Sequence, residues 1–258
     1  MSLPTWTPAA LSSEFRSYVG ACWRLVEAQH RVSTLKLTDT LAEQALLEDL
    51  IEGTKPAIPS ECLHLDFLLA TPFRYGAAYP NGSRFRRAGR TLGVFYAAEL
   101  PTAAVAEMAF YRLLFFAESP NTPWPNDAAE YTAFSADVAS QRLIDLTQAP
   151  FSKEEAIWTD LIDYEGCQAF ADAARAAEAE AIRYRSVRDP AKGANLAILA
   201  CRAFARPAPG ERQTWRMRLS ASGVQALCEF PRQAVEFSRD AFLADPRIAG
   251  LNWDRADV

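Results

Sequence analysis

The chain has 258 residues, half hydrophobic and under a quarter charged, the balance of a soluble globular protein with a sizeable core. Thirty-two acids against 27 bases leave a formal charge of −5, which argues against general binding to nucleic acid or acidic membrane. Five scattered cysteines (Cys22, Cys62, Cys167, Cys201, Cys228) form no CxxC pair and only His30 and His64 could join them, so a metal site is not expected and reduced thiols suit a cytoplasm. The start lacks the basic and apolar regions of a signal peptide, and the apolar stretches 63–73 and 113–117 are too short to cross a bilayer.

In chain order, residues 8–32 read as a helix, with Pro8 in its first turn and Leu11, Phe15, Tyr18, Val19, Cys22 and Val26 at three- and four-residue steps. A second helix runs from 39 or 40 to about 51, with Leu41, Ala45, Leu46 and Leu50 on one face and Gly53 as its stop. The breaker run 54–59 closes a helical N-terminal extension, 1–60, and sets it apart from a domain at 61–258. A segment from about 65 carries Arg74 and Tyr75 at its end. The Gly-, Asn- and Arg-rich stretch 76–89 is a loop, and its Arg84, Arg86, Arg87 and Arg90 offer an anion site. A short buried strand covers 93–97.

Pro101 opens a helix that runs to about 118. After a breaker loop come strands at 131–138 and 142–146, an alanine-rich helix at 165–181, and short strands at 182–186, 196–204, 214–219 and 224–230. Strands and helices do not alternate regularly and no GxGxxG follows a strand. The expected fold class is therefore α+β, with a mixed or antiparallel sheet.

One position carries most of the chemistry. Between 101 and 117 the charged side chains are Glu107 and Arg112, five apart and too far round the helix to pair. A carboxylate on so apolar a helix costs several kcal/mol, roughly, unless a partner satisfies it. Arg74, Tyr75, Ser83, Arg84, Phe85 and Tyr96 stand just upstream. An acid with arginines and aromatics is what a phosphate- and ring-bearing ligand needs, since guanidinium forks grip phosphate oxygens and aromatic faces stack on rings.

The ordered pieces Arg74-Tyr75, Gly82-Ser-Arg-Phe85, Gly89, Val94-Phe-Tyr-Ala-Ala98, Thr102, Ala104-Val-Ala-Glu107, Tyr184-Arg-Ser-Val-Arg188 and Asn195-Leu-Ala-Ile-Leu199 resemble the RES domain over about 65–205. The resemblance implies an ADP-ribosyltransferase-like fold and a bacterial toxin that consumes NAD, neutralised by a cognate antitoxin protein that plugs the site. It makes Glu107 and Arg84 catalytic and gives Arg74, Tyr75, Ser83, Phe85, Tyr96 and Ser186 to the binding of NAD, the substrate, without a metal. Cleaving the nicotinamide–ribose bond passes through an oxocarbenium-like sugar, which a carboxylate stabilises, and the leaving group is already cationic, so no strong acid is needed. Two alternatives stay open: an ADP-ribosyltransferase that modifies a cellular protein, and a non-catalytic nucleotide- or protein-binding module. No membrane or direct nucleic-acid partner is expected, the location is cytoplasmic, and a homodimer is left open.

Overall fold

The structure is a computed structural model and describes residues 6–27, 34, 37–75, 82–89 and 91–255. His30, Arg90 and the 76–81 part of the expected loop lie outside the described residues. Pro8 does open a helix, α1 (Pro8–Ser13), with the Thr7 hydroxyl accepting from Ala10 N at its start. The helix expected to continue to 32 is overturned: Arg16–Glu27 is strand β1. Tyr18, Val19, Trp23 and Val26 are β-branched or aromatic and fit a pleated surface. The three- and four-residue recurrence of apolar residues does not decide here, because β1 pairs with a later strand along its whole length.

Helix α2 (Leu41–Thr54) begins with a capping box in which Thr40 and Glu43 satisfy each other's backbone N–H groups. On its expected apolar face Leu41, Leu46 and Leu50 are all more than half exposed. Helix α3 (Phe67–Arg74) is capped by Asp66. Its backbone lies so close to Gly93 that a Cβ there would meet Pro72 O at 1.9 Å, which only glycine avoids. Strand β2 (Phe95–Ala98) and helix α4 (Pro101–Glu118) follow. The strands expected at 131–138 and 142–146 are one long strand, β3 (Ala129–Asp145), since Ala139 and Ser140 pair with Val19 and Tyr18 of β1 and the ladder resumes at Leu143 after a bulge.

Beyond β3 lie the one-turn helix α5 (Glu155–Trp158), helix α6 (Glu165–Ala176), and strands β4 (Ala181–Arg185) and β5 (Ala194–Ile198). A meander of β6 (Arg212–Ser220), β7 (Gly223–Cys228) and β8 (Gln233–Ser238) precedes helix α7 (Pro246–Ala249). Helix α6 stops five residues before the expected end, because Ala181 already pairs with Leu143.

The fold is α+β with a mixed sheet, as its segment order suggests. Among the described residues only β3 and β4 run parallel; β1–β2, β1–β3, β2–β5, β4–β5 and the meander are antiparallel. Because β1 touches both β2 and β3, the strands β1–β2–β5–β4–β3 form a closed circuit, and β6–β7–β8 extend from β3. Closure removes edges that would otherwise need partners. Phe95, Phe134, Val138 and Leu196 pack within one cluster of buried side chains of this circuit, and α4 buries Val105, Phe110, Leu113 and Phe116 against the meander and the C-terminal segment.

Cys62 and Cys201, 139 residues apart, are joined as a disulfide with Cα atoms 5.6 Å apart, while Cys22, Cys167 and Cys228 are free and buried. The expectation of five reduced thiols is corrected: tertiary packing brings together two cysteines whose separation in sequence carries no sign of contact. No helix among the described residues is long and apolar enough to cross a membrane.

Candidate active site

Strand β2, helix α4 and the loop 82–89 converge on a cavity of about 310 Å³. Helix α4 buries Ala103 to Ala106, Ala109 and Phe110, and turns Glu107 into the cavity wall. The lone acid is satisfied by neutral donors: Ser186 Oγ and Asn195 Nδ2 each donate to its Oε1 at 2.7 Å. Among the described residues neither bond uses Oε2. Ser186 Oγ in turn accepts from the backbone N–H groups of Arg188 and Asp189 at 3.3 and 3.0 Å, which fixes its orientation. The carboxylate is therefore held still, among the described residues, by neutral donors rather than by a cation that would cancel its charge.

The arginines reach the cavity by different routes. Arg84 is buried: its Nη1 donates to Trp158 O at 2.7 Å, its Nη2 to Asp160 O at 2.8 Å, and its guanidinium lies 4.7 Å over the Tyr164 ring. Those carbonyls use two of five N–H donors, and among the described residues no carboxylate pairs with it. Arg24 of β1 donates to Tyr96 O at 2.9 Å and stacks 5.3 Å over Phe95. Burial lowers its pKa to about 10, so it stays charged at neutral pH. Trp23, Tyr96, Tyr111, Tyr164 and Tyr184 supply aromatic wall.

The loop is held from behind. Tyr96 hydroxyl bonds Ser83 Oγ at 2.8 Å and accepts from Phe85 N at 3.0 Å. Gln168 of α6 donates to the carbonyls of Ser83 and Arg86, and Arg175 to that of Phe85. Burial raises the Tyr96 hydroxyl above its ordinary pKa, so it remains protonated and available for both bonds. Tyr96→Phe leaves the Phe85 N–H without a partner, and we expect a loss of about 1–2 kcal/mol in urea unfolding.

Of the residues singled out in the sequence, Glu107, Arg84, Ser83 and Tyr96 line the cavity. Ser186 stands one bond behind Glu107, and Phe85 is fully buried with its ring edge-on to Tyr184, 4.9 Å between centroids. Arg74 and Tyr75 are not among the lining residues. The Arg74 guanidinium donates to Glu52 of α2 at 2.7 Å and to Pro56 O at 2.6 Å, so it anchors the 41–56 segment and lies away from the cavity lining. Sequence reasoning missed Arg24, concealed in a segment read as helix. It also missed roles for Asn195 and Arg188, which stood within the motifs themselves. Among the described residues no group of three or more His, Cys, Asp or Glu side chains is placed to hold a metal ion.

Fold and cavity together define an α+β protein with an acid-and-arginine pocket built on a closed strand circuit. The sequence model of the RES domain matches residues 58–220, and the chain belongs to that family. Among solved structures, the chain is similar at 17% identity to one in the crystal structure of the M. tuberculosis MbcT–MbcA toxin–antitoxin complex, with a TM-score of 0.42 over 96% of this chain and 100% of that one. No curated protein matches it.

Proposed function

We propose that the protein is the toxin of a toxin–antitoxin pair and an enzyme that cleaves the nicotinamide–ribose bond of NAD. The observation that carries the reading is Glu107, the sole acid among the described cavity residues, with Oε1 fixed by Ser186 and Asn195. Family membership supports it. In this reading the carboxylate stabilises the positive charge that develops on the ribose, through fixed electrostatics rather than proton transfer. Arg24 and Arg84, both without a carboxylate partner among the described residues, hold the pyrophosphate. A 310 Å³ cavity is at the small end for a ligand site and suits the nicotinamide–ribose half of the dinucleotide, walled by Tyr96 and Tyr184.

A protein antitoxin belongs to the same proposal. Tyr111, one turn from Glu107 on α4, and Phe115, a turn further on, are about half exposed and give such a partner an apolar foothold. Acidic side chains on the partner would compete for the arginines. A cytoplasmic location follows from the substrate.

The test is nicotinamide release from NAD by the purified protein, with and without inorganic phosphate, and with ADP-ribose label followed onto protein. Release that depends on phosphate identifies phosphorolysis, release without it hydrolysis, and labelled protein a transferase. No nicotinamide under any condition sinks the proposal.

A further inference from the structure

The buried ion pair between Arg188 and Asp245 joins the cavity to a segment beyond the matched family core. Arg188 lines the cavity, and its Nη1 lies 2.6 Å from Asp245 Oδ2, with both side chains almost fully buried. The guanidinium is stacked 3.8 Å over Phe110, one turn after Glu107 on α4, and donates to Leu161 O at 2.9 Å. Asp245 also takes Arg247, at 2.9 Å, and accepts from Arg247 N as the cap of α7.

Arg188 also lies close to the acid. Its backbone N–H bonds Ser186 Oγ, which bonds Glu107 Oε1, so two hydrogen bonds separate the Arg188 backbone from the carboxylate. Arg188 borders two cavities, and the second holds Glu155, paired with Arg185, and Asp189, which accepts from Ala191 N and Gly193 N. The carboxylate in the first, Glu107, accepts among the described residues from neutral side chains and is the one a released guanidinium can take. A buried cation without its counter-charge seeks another, because an unpaired charge in a dry environment is costly.

We propose that Asp245 is a positioning residue of the site: it holds Arg188 against Phe110 and off Glu107, so that the carboxylate stays open to substrate. The inference rests on the NAD-cleaving reading. The C-terminal segment thereby completes a site whose other members lie within residues 58–220 or in β1.

Asp245→Asn keeps Oδ1, which caps α7 and accepts from Arg247 Nε at 3.0 Å, but it removes the charge and puts an amide N–H₂ where Oδ2 faces Arg188 and Arg247 Nη2. The expected result is a kcat for nicotinamide release about tenfold lower or more, with KM within about threefold of the parent. In R188M/D245N the Arg247 guanidinium lacks its carboxylate just as in the single variant, but the Arg188 charge is gone, and kcat recovers to within about threefold of the parent, which a merely structural Asp245 would not allow. A single variant as active as the parent, or a double variant as slow as the single, overturns the proposal. Should D245N not fold, D245E is read in its place: the displaced charge lowers kcat by about threefold or more, and parent-like kcat overturns the proposal.

A second arm needs no substrate. Glu107→Gln lowers the melting temperature by at least about 2 °C more in D245N than in the parent, because only there does Arg188 lean on Glu107. Equal shifts in the two backgrounds overturn the inference. A parent that releases no nicotinamide instead overturns the functional reading, and the melting arm then decides the role of Asp245.

Discussion

Glu107→Gln is expected to slow nicotinamide release from NAD by roughly 10²–10³-fold, the usual loss when a fixed electrostatic contact to the transition state is removed. The variant retains an oxygen to accept from Ser186 Oγ and Asn195 Nδ2, the two donors that hold Oε1 at 2.7 Å, so the fold has no reason to fail. KM should move far less than kcat, because the charge acts on a cation present only as the bond breaks. Steady-state kinetics beside a thermal melt checks both statements. A Gln variant with parent-like kcat would remove the carboxylate from the mechanism, whatever the rest of the cavity does.

Arg84→Ala should damage both fold and activity. The side chain is buried between Trp158 O and Asp160 O, and its loss leaves two carbonyls without donors and Tyr164 without its stacked cation. Each unsatisfied buried group costs about 1–3 kcal/mol, so about 3 kcal/mol overall is a moderate expectation. In a chain of this length that corresponds to a fall of about 6–12 °C in Tm. Arg84→Lys keeps the charge but cannot span both carbonyls with one ammonium, and it should recover only part of the loss. Arg74→Ala is the contrasting variant: its largely buried guanidinium serves the exposed Glu52 and Pro56 O, away from the cavity, so activity should persist and the loss should appear in the melt. Equal activity losses in the Arg84 and Arg74 variants would return Arg74 to the site.

The contrast between these arginines shows where local sequence is a sufficient guide. Helix α4 was readable to its ends, because Pro101 begins it and an apolar run with one internal acid, Glu107, fills it up to Glu118. The oddness of Glu107 was equally visible, since a charge on an apolar helix must be satisfied somewhere. What satisfies it was not visible: Ser186 and Asn195 come from beyond β4 and from β5, 79 and 88 residues away. Arg74 and Arg84 looked alike as loop-side guanidiniums, and only the path of the chain around α2 and α6 separated an anchor from a cavity residue.

Residues 8–32 show the opposite limit. Their apolar spacing satisfies a helix as well as a strand, and pairing with β3 from Arg16↔Leu143 to Glu27↔Tyr131 decides between them. That pairing also brings Trp23 and Arg24 into the cavity. In the same way, Cys62 and Cys201 meet only because the chain folds back across 139 residues.

Composition, the lone acid and the ordered motifs were enough for the family and the α+β class, and they singled out Glu107, Arg84, Ser83 and Tyr96, because those depend on residue type and near-neighbour spacing. The strand identity of β1, the disulfide, the separation of Arg84 from Arg74 and the clasp of Asp245 on Arg188 came from tertiary structure alone. Each is a contact between segments far apart in the chain, and its energy comes from burial and pairing that no local window contains.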